Sequence, residues 1–540
     1  MEGKAMKELP STAEIGERVS IRSHDPNGGF RDLLGHLVSP TQVRKKNGQV
    51  ITFDPTQIAL WKVVPSNPVS TGVFLYDTMS RTQKEITISD GKVLRLYCCG
   101  PTVYRDAHVG NLRTFLLADL VTRLVSINGH RVQSVQNITD VGHMNDDLLT
   151  PDAQNEEDKV LIQARAEHKD PFALARSYEA KFHQDLAHLG IKPATIYPRA
   201  SESIEMMLRL ITQLIDTGLA YVGEDGSVYF SATSFESYGA LSGNKLTQLV
   251  PGHRYEYTGD GAKRFHADWA LWKLAGHRTE MVWDSPWGAG FPGWHIECSA
   301  MSLHYLHGHV DLHLGGIDLR FPHHENERAQ SNSAAMSEVT DHWVHGEHLL
   351  FEGRKMSKSA GNVVLLADLL NKGLDPLALR LVFLENKYRS QMDLTWDLMS
   401  TADATLIRWR RKYQEWSEAT PNHASDLVKQ EVAAFFEIVC NDLDTPKAMV
   451  KIRSIERDRS ISDYSKARIL EQVDHFLGLD LTRGVQAPVL SSEVLDLIEE
   501  RAQARADKDF ARSDELRNEL LKRKVKVLDG TSGQSWEIIP

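Results

Sequence analysis

A lone cysteine and a histidine–glutamate pair between residues 290 and 330 have the residue types of a metal site. Cys298 is followed, at residues 322–327, by the run Pro-His-His-Glu-Asn-Glu. Proline is suited to the first position of a helix, where its missing N–H costs nothing, and His323 and Glu327 would then lie one turn apart on one helical face. An imidazole and a carboxylate so placed can share a metal ion with a distant thiolate. A capped polar helix beside a buried, inert cysteine fits the same residues, so both interpretations stay open at this point.

A second group, His108-Val-Gly110-Asn111, has the composition of a phosphate-binding turn. It lies between a predicted strand and a predicted helix, and a helix N-terminus offers free N–H donors and partial positive charge to an anion. Gly110 would permit close approach of the ligand, and His108 can donate a hydrogen bond to a phosphate oxygen. A surface turn before a helix is the alternative, and these residues alone do not decide between the two.

A basic loop further along the chain is more specific. Residues 355–359 read Lys-Met-Ser-Lys-Ser, between Gly353 and Gly361. Such a loop can swing over a polyphosphate, and Lys358, assisted by Lys355, would meet the charge that develops during attack at the α-phosphorus. A solvated basic loop is the alternative, but the presence of both motifs in one chain favours phosphate chemistry.

The composition limits the kind of protein that carries these motifs. A chain of 540 residues predicts three or four domains at ~150 residues each. The sequence contains no run of ~18 apolar residues, so no membrane span is predicted. The first residues lack the apolar core of a secretory signal. Four cysteines cannot form a disulfide framework, which fits a reducing cytosol. The net charge of −11 argues against a generic nucleic-acid coat but not against a local basic surface.

The elements that must position the motifs are predicted to be strands and helices in alternation. Residues 93–99 have a buried-strand pattern, residues 114–127 have apolar side chains at helical spacing, and residues 131–138 form a second strand pattern. This order predicts a parallel βαβ unit whose ligand edge lies at the carboxyl ends of the strands. A further strand is predicted at 310–314, and residues 375–477 are predicted to be helical almost throughout.

Residues 15–65 predict a separate small β unit. Short strand-like segments are separated by turn residues, and Asn47-Gly48 is a strong hairpin signal. The pattern resembles a small SH3-like barrel. Arg44, Lys45 and Lys46 beside the turn either contact RNA or keep an edge strand soluble, and the second reading is the commoner one.

The motifs together resemble a known family. Residues 108–111 and 355–359 resemble the HIGH and KMSKS signatures of class I aminoacyl-tRNA synthetases. Longer blocks resemble the cysteinyl-tRNA synthetases, namely YCCGPTVY at 97–104, NITD at 137–140, GWHIECSAM at 293–301 and FPHHENE at 321–327. The resemblance covers about residues 74–540. It implies an α/β fold: a Rossmann-type catalytic domain with an insertion, a C-terminal helical bundle and a small α/β tail unit. The small β-barrel-like module at the N-terminus is an addition that the family does not require.

The resemblance also implies a metal site. The family binds one Zn²⁺ per chain through two cysteines, a histidine and a glutamate, which fall here on Cys99, Cys298, His323 and Glu327. Zinc favours a thiolate over a hydroxyl, so the sulfur of bound cysteine can serve as an additional ligand. Serine is nearly isosteric, and selection by the metal explains why no proofreading site is needed. If Cys98 were the ligand instead, its side chain would face the other side of the strand.

The remaining site residues also follow from the resemblance. Gly100, Thr102 and Thr114 are expected to line the amino-acid and phosphate pocket. Trp294 is expected to close over the bound cysteine, with packing in the core as the alternative.

The same resemblance places the nucleotide. Gly315 and Gly316 are expected to hold the adenosine, with Asp318 near the ribose hydroxyls. His313 and His324 are expected to orient the metal ligands or to touch the nucleotide. The expected ATP-binding residues are His108, Gly110, Asn111, Gly315, Gly316, Asp318 and Lys358. The expected catalytic residues are His108, Asn111, Lys355 and Lys358.

The function implied is that of a cysteine–tRNA ligase. L-cysteine and ATP, with Mg²⁺, would form cysteinyl-adenylate and pyrophosphate, and the acyl group would pass to the 3′-terminal ribose of tRNA(Cys). No enzyme nucleophile is required, because the amino-acid carboxylate attacks the α-phosphate and catalysis is positioning plus charge stabilisation. The second signature histidine is Asn111 here; an amide can still donate to an oxygen, so a working but slower site is expected.

Two alternatives remain. A tRNA-independent cysteine:amine ligase resembling the mycothiol cysteine ligase would lack the C-terminal tRNA-reading region that is present here. A decayed synthetase that only binds RNA has Asn111 as its sole support. A cytoplasmic monomer without membrane contact is expected from the resemblance. The expected division of the chain is a tail at 1–14, the SH3-like module at 15–65, a linker at 66–73, catalytic halves at 74–190 and 290–345 around an insertion at 191–289, a KMSKS and stem-contact region at 346–398, a helical anticodon-binding bundle at 399–485 and an α/β unit at 486–540.

Overall fold

The computed structural model places one large hydrophobic core between residues 73 and 481, with smaller separate cores near each terminus. It describes residues 10, 18–25, 29–45, 48–63, 68–142, 158–246, 263–356, 361–421, 425–484, 492–523, 525–530 and 533–538. None of the helices in these ranges combines the length and the apolar character needed to cross a membrane. Apart from residue 10, the predicted tail lies outside the described residues, as does part of the predicted linker.

The N-terminal module is an antiparallel sheet. Its five strands are β1 (Arg18–His24), β2 (Phe30–Ser39), β3 (Gln42–Arg44), β4 (Val50–Thr52) and β5 (Ile58–Val63). They lie in the order β4-β3-β2-β1-β5, so the last strand returns to pair with the first. Val19, Ile21, Leu33 and Leu37 are buried on one face because successive side chains of a strand alternate between faces. The predicted β module is confirmed as an antiparallel sheet, and Asn47 of its predicted turn lies outside the described residues.

A hairpin and a βαβ unit open the main body. The elements are β6 (Val69–Asp77), β7 (Thr82–Ile88), β8 (Val93–Cys98), α1 (Val109–Ile127) and β9 (Arg131–Gln136). β6 pairs with β7, and β8 lies parallel to β9. Helix α1 begins earlier than the predicted position 114, because His108 and Asn111 cap its first turn.

A long connecting segment, which includes the predicted insertion at 191–289, separates the two halves of the parallel sheet. It contains α2 (Lys159–Ala166), α3 (Pro171–His188), α4 (Ile204–Asp216), β10 (Ala220–Val222), β11 (Val228–Phe230), β12 (Trp269–Leu274) and β13 (Gly290–Pro292). The four strands form an antiparallel sheet in sequence order. Strand β13 leads directly into the helix that carries Cys298.

The second half completes the parallel sheet. It consists of α5 (Trp294–Tyr305), β14 (Leu312–Gly316), α6 (Glu325–Ala335) and β15 (Trp343–Gly346). The sheet order is β15-β14-β8-β9, with all neighbours parallel. The strand predicted at 310–314 is β14, displaced by two residues. The predicted Rossmann-type α/β fold is confirmed.

A small sheet and two helices follow. They are β16 (Leu349–Phe351), β17 (Arg354–Lys355), α7 (Leu366–Asn371), α8 (Pro376–Leu384) and β18 (Met392–Leu394), with sheet order β17-β16-β18. Strand β18 interrupts the region predicted to be helical at 375–477. Its Met392 and Leu394 are buried on one face while the strand pairs in parallel with β16, so sheet pairing overrides the local helical tendency.

Four helices form the bundle: α9 (Trp396–Ser417), α10 (Ser425–Cys440), α11 (Thr445–Arg457) and α12 (Asp463–Leu477). The buried Arg380 of α8 joins this bundle to α1. Its guanidinium lies 2.7 Å from Asp119 Oδ2 and also donates to the carbonyl oxygens of Leu189 and Leu477. The predicted helical C-terminal region is confirmed.

The chain ends in a small α/β unit with its own core. Its elements are α13 (Ser492–Ala506), α14 (Phe510–Lys522), β19 (Val525–Gly530) and β20 (Gly533–Ile538), the strands pairing antiparallel. Residues 485–491, which include the predicted boundary at 486, lie outside the described residues.

Candidate active site and metal centre

A cavity of about 450 Å³ opens at the carboxyl ends of β8 and β14, beside the first turns of α1 and α5. This is the edge at which the parallel βαβ order predicts a ligand. The predicted site residues that line it are Cys99, Gly100, Thr102, His108, Gly110, Asn111, Thr114, Trp294, Gly316, Asp318 and Lys355. Gly315, Cys298, His323 and Glu327 are not among the lining residues.

His108 and Asn111 cap the first turn of α1 through each other's backbone. His108 Nδ1 accepts from the Asn111 N–H at 3.3 Å, and Asn111 Oδ1 accepts from the His108 N–H at 3.3 Å. With Nδ1 acting as an acceptor, the neutral ring carries its proton on Nε2 and can donate it. Burial and the nearby Arg105 guanidinium lower the pKa of His108 to about 4, so the ring is neutral at neutral pH.

The segment around the basic loop is tied to α1. The Val109 N–H donates to the carbonyl oxygen of Val364 at 3.0 Å. Across the loop, Asn362 Nδ2 donates to the carbonyl oxygen of Lys355 at 3.1 Å. Lys355 lines the cavity, whereas Lys358 lies outside the described residues.

Gly315 and Gly316 leave room for neighbouring side chains where the nucleotide is expected. A Cβ atom on Gly316 would lie 2.3 Å from Asp318 Oδ1 and 3.6 Å from Thr114 Oγ1. A Cβ atom on Gly315 would instead lie 2.4 Å from His324 Cε1. Gly316 therefore leaves room on the cavity side, while Gly315 leaves room for a buried imidazole.

The expected amino-acid side of the cavity is built from β8 and α5. A Cβ atom on Gly100 would lie 1.6 Å from the carbonyl oxygen of Asn137, so only glycine fits there. The Gly100 N–H donates to Asn137 Oδ1 at 2.8 Å, and Thr102 lines the cavity beyond it. Trp294, at the start of α5, stacks on His323 with ring centroids 4.1 Å apart. The indole therefore contacts both the cavity and a predicted metal ligand.

Four side chains that are distant in sequence converge beside this cavity. Cys99 Sγ lies 4.0 Å from Cys298 Sγ and 3.5 Å from Glu327 Oε1. Glu327 Oε1 lies 2.9 Å from His323 Nε2. The four ligand atoms all lie within 4.8 Å of one another, and all four side chains are buried. The structure therefore brings the predicted metal ligands together, and Cys99 connects them to the cavity.

A second set of possible ligands overlaps the first. His313 and His324 also offer nitrogens within 4.8 Å of Cys99 and Glu327. His324 Nε2 lies 3.2 Å from Cys99 Sγ, and His313 Nε2 lies 3.6 Å from it. Both imidazoles are buried and do not line the cavity, so they contact the cluster rather than the nucleotide space.

Hydrogen bonds orient the imidazoles from behind. His323 Nδ1 lies 2.8 Å from His295 Nδ1, and His324 Nδ1 lies 2.8 Å from His345 Nε2. His345 Nδ1 is in turn 2.7 Å from Thr78 Oγ1. A metal-binding histidine requires such a partner on its second nitrogen to fix the ring orientation.

The chemistry of the cluster fits a zinc ion. Glu327 Oε2 is buried and has no hydrogen-bond partner among the described residues. Burial raises the pKa of Glu327 and that of Cys99 well above their ordinary values. Burial also opposes ionisation of Cys298, but the hydrogen bond from Cys99 and the His323 imidazole outweigh it and lower the pKa of Cys298 to about 7. Two thiols, an imidazole and a carboxylate are donors that zinc accepts.

The turn before α6 contains one extended residue. Phe321 has φ −146° and ψ 131° within the turn Arg320–His324, and helical backbone runs from Pro322 into α6, where the Glu325 N–H donates to the carbonyl oxygen of Pro322. The His324 N–H donates to the carbonyl oxygen of Leu319 at 2.8 Å. Pro322 therefore takes the first helical position, as predicted. The helical spacing lets two adjacent histidines face Glu327, since His323 Nε2 and His324 Nε2 lie 2.9 Å and 4.0 Å from its Oε1.

The adjacent cysteines at the end of β8 face opposite sides of the sheet. Cys98 packs in the main core, whereas Cys99 packs with Cys298 in a separate cluster. Burial raises the pKa of Cys98 to about 12, so this residue remains a thiol inside the core.

Several residues at the site had no separate place in the sequence motifs. Arg105 and Lys159 line the cavity and bring positive charge to it. His295 and His345 orient the two imidazole ligand candidates. His295 lies inside the block at 293–301 and could have been found there, whereas Lys159 begins α2 after a long break from the catalytic motifs and has no local signature.

Comparison with known proteins identifies the class first. Residues 85–404 match a family model described as the class I (C) tRNA synthetase catalytic domain, and residues 487–536 match one described as the cysteinyl-tRNA ligase anticodon binding domain. A solved methionyl-tRNA synthetase of Mycobacterium tuberculosis, in complex with methionyl-adenylate, is 14% identical, with a TM-score of 0.50 over 78% of this chain and 96% of that chain. The fold is that of a class I aminoacyl-tRNA synthetase.

Comparison with curated relatives identifies the family within this class. The cysteine–tRNA ligase of Thermus thermophilus is 39% identical over 86% of this chain and 99% of its own length. Those of Gluconobacter oxydans and Salinibacter ruber are 39% and 35% identical, over 87% and 86% of this chain and 99% and 98% of their own lengths. The chain belongs to the cysteinyl-tRNA synthetase family, as its motifs predict. The match to the catalytic domain begins at residue 85, after the N-terminal module.

Proposed function

We propose that this chain is a cysteine–tRNA ligase, which activates L-cysteine with ATP and transfers it to the 3′ end of tRNA(Cys). One observation carries the proposal: a single cavity is lined both by the His108 end of α1 and by Cys99 of the thiol-rich cluster. An α-phosphate at a helix N-terminus and a thiol side chain near the cluster can therefore share one space.

We infer that one Zn²⁺ is held by Cys99, Cys298, His323 and Glu327. This set contains both thiols, and soft thiolate ligands suit zinc better than a set with a single sulfur. When bound, zinc would accept a thiolate as an additional ligand in preference to a hydroxyl, which separates cysteine from serine. Because Cys99 lines the cavity, the substrate side chain has access to this side of the cluster, and Trp294 packs against it.

The other residues position charge rather than form bonds. The carboxylate of cysteine attacks the α-phosphorus of ATP, held with Mg²⁺, and pyrophosphate leaves. Neutral His108 donates its Nε2 proton as a hydrogen bond to a phosphate oxygen, and the positive end of the α1 dipole faces the same oxygens. Lys355 and Lys358 meet the charge on the leaving pyrophosphate. Asp318 is assigned to the ribose hydroxyls.

We assign tRNA binding to the C-terminal regions, residues 399–485 and 486–540. The match of residues 487–536 to an anticodon binding domain supports this assignment and gives no support to the tRNA-independent amine ligase. The catalytic halves at 74–190 and 290–345, the insertion at 191–289 and the region at 346–398 complete the proposed division. A cytoplasmic monomer is part of the same proposal.

The decisive experiment is cysteine-dependent exchange between ATP and pyrophosphate, followed by charging of tRNA(Cys). Cysteine is expected to exceed serine by well over the ~200-fold that shape alone can provide. Absence of exchange in zinc-loaded protein would refute the function. Exchange without charging of tRNA(Cys) would favour the amine ligase instead.

Replacing zinc with cobalt separates the two possible ligand sets. Cys298→Ser is expected to lower the thiolate-to-cobalt charge-transfer absorption to about half, because one of two thiolates is lost. His313→Asn, the control, is expected to leave that absorption unchanged. An unchanged charge-transfer absorption in Cys298→Ser, together with a shift of the cobalt d–d bands in His313→Asn, would assign the metal to Cys99, His313, His324 and Glu327.

A further inference from the structure

The N-terminal module has a charge opposite to that of the whole chain. Residues 18–63 contain seven lysines and arginines against three aspartates and no glutamate, whereas the net charge of the chain is −11. The match to the catalytic domain begins only at residue 85, so the module is not part of the site described above. A basic unit on an acidic protein indicates a polyanionic ligand.

The strand alternation places much of this charge on one exposed face, here called the outer face. The register aligns Arg22 with Asp32 and His24 with Phe30 between β1 and β2, and His36 with Arg44 between β2 and β3. All of these side chains are exposed, while their neighbours along each strand form the module's core. The outer face therefore has a different composition from the apolar inner face, as a half-buried sheet requires.

An exposed aromatic ring lies beside Arg22 and His24 at one end of this face. Phe30 is 60% exposed. The guanidinium carbon of Arg22 lies 6.0 Å from its ring centroid, and the His24 ring lies 5.0 Å away. Proteins that bind unpaired RNA use such a combination, because the ring stacks on a base while the cations meet phosphates.

Part of the positive charge has no internal partner. Asp32 already accepts from Arg22 at 2.7 and 2.8 Å. Arg44 and Lys45, at the end of β3, are exposed and have no acidic partner in the described part of the chain. Cations that stabilise nothing within the sheet are available to an external anion.

We propose that the outer face, from Arg22 and Phe30 to Arg44, together with Lys45 at the adjoining turn, is an additional binding surface for tRNA. Its cations contact backbone phosphates, and Phe30 stacks on an unpaired base. The proposal rests on the proposed function, because tRNA is the polyanion which that reaction brings to the chain. RNA is favoured over a protein partner because the cations of the module outnumber its acids and Arg22 lies beside its exposed ring.

The test measures binding of a tRNA(Cys) transcript to the full-length protein by fluorescence anisotropy, without ATP or cysteine, at several salt concentrations. The variants are R44Q/K45Q, R44E/K45E and Phe30→Ala. The matched control is K92E/R131E, which makes the same change in net charge. Those two residues lie at the amino ends of β8 and β9, opposite the cavity edge of that sheet.

The neutralising pair is expected to lower the slope of log Kd against log salt by about 1.5, since each phosphate contact contributes ~0.7–0.9. The charge-reversing pair is expected to bind more weakly still, and Phe30→Ala about fivefold more weakly than the wild type. K92E/R131E is expected to bind like the wild type. Wild-type affinity and slope in the module variants, or an equal loss in the control, would overturn the proposal.

Pyrophosphate exchange, which needs no tRNA, is measured on the same proteins. Wild-type exchange in R44E/K45E would show that a loss of RNA affinity does not come from damage to the catalytic domain. If the wild type shows no exchange, the proposed function fails. Loss of RNA affinity in the module variants would still support the surface in that case, and retained affinity would still overturn it.

Discussion

Replacing Glu327 by glutamine tests whether the buried cluster holds a metal. Glu327 is 2% exposed, and its Oε1 lies 2.9 Å from His323 Nε2 and 3.5 Å from Cys99 Sγ, while its Oε2 has no hydrogen-bond partner among the described residues. Glutamine keeps the size of the side chain but replaces the carboxylate, a good zinc ligand, by a neutral amide. The substitution therefore removes one of four ligands with little change in packing.

The expected magnitude follows from linkage between metal binding and folding. Zinc at ~1,000 times its dissociation constant contributes about 4 kcal/mol to the free energy of unfolding. Changing groups that only orient ligands lowers metal affinity by about 10–100-fold, so losing a ligand is expected to cost at least ~100-fold, or about 2.8 kcal/mol. In zinc-free protein the same substitution is expected to be nearly neutral. Burial raises the pKa of Glu327 well above its ordinary value, so the acid is already uncharged there.

The assay is zinc content by mass spectrometry together with chemical denaturation, with and without a chelator. Glu325→Gln is the matched control, because Glu325 is buried on the same helix, accepts from the Ser242 N–H at 2.8 Å and belongs to neither ligand set. The control is expected to keep its zinc and its response to the chelator. Equal zinc content and equal chelator response in Glu327→Gln and the wild type would refute the metal assignment.

Three further predictions concern stability and nucleotide binding. Burial lowers the pKa of His345 from 6.5 to about 3. Between pH 6.5 and 3, therefore, His345 is protonated in the unfolded chain and neutral in the folded chain. The free energy of unfolding is expected to fall as pH falls through this window, by up to ~1.4 kcal/mol per pH unit. In chemical denaturation between pH 5 and 7, the free energy of unfolding of His345→Gln should depend less steeply on pH than that of the wild type. An unchanged dependence would contradict the lowered pKa of His345. Arg380→Met removes one of two guanidinium partners of the buried Asp119, the other being Arg123 with its Nε 2.8 Å from Asp119 Oδ2. The substitution is expected to lower the free energy of unfolding by ~3–5 kcal/mol in chemical denaturation; a loss below ~1 kcal/mol would show that Arg123 and water replace the lost partner. Asn111→Ala removes half of the reciprocal cap of α1 and is expected to cost ~1 kcal/mol of thermal stability and to raise the KM for ATP in pyrophosphate exchange; an unchanged KM would mean that the amide does not contact the nucleotide.

The fold could be predicted because its sequence patterns are local. The residues of the metal cluster could be predicted because they lie in long sequence blocks that resemble a known family. The βαβ unit is visible as strand, turn and helix patterns in sequence order, and parallel pairing then fixes the ligand edge. Cys99, Cys298 and Glu327 meet because β8 ends at that edge and α5 and α6 begin there, although their spacing in the sequence does not give the distances between them.

Other features of the structure could not be predicted, because they depend on tertiary contacts that leave no pattern in the local sequence. The turn that leads into α6 contains an extended Phe321 and a hydrogen bond from the His324 N–H to the carbonyl oxygen of Leu319, and the sequence around Pro322 does not show that geometry. Strand β18 forms only because β16 offers it a parallel partner. Lys159 reaches the cavity from the far side of a segment that separates it from every motif, so its position could be learned only from the folded chain.

The opposite orientation of Cys98 and Cys99 has a consequence for how this chain can change over time. Strand β8 pairs with a parallel strand on each side. Inserting or deleting a single residue within it would therefore exchange the positions of the two thiols, so that Cys99 would face the main core and Cys98 the metal cluster. Side chains along the strand can be replaced one for another without that exchange. We therefore expect the length of β8 to be more strictly constrained than its amino-acid composition.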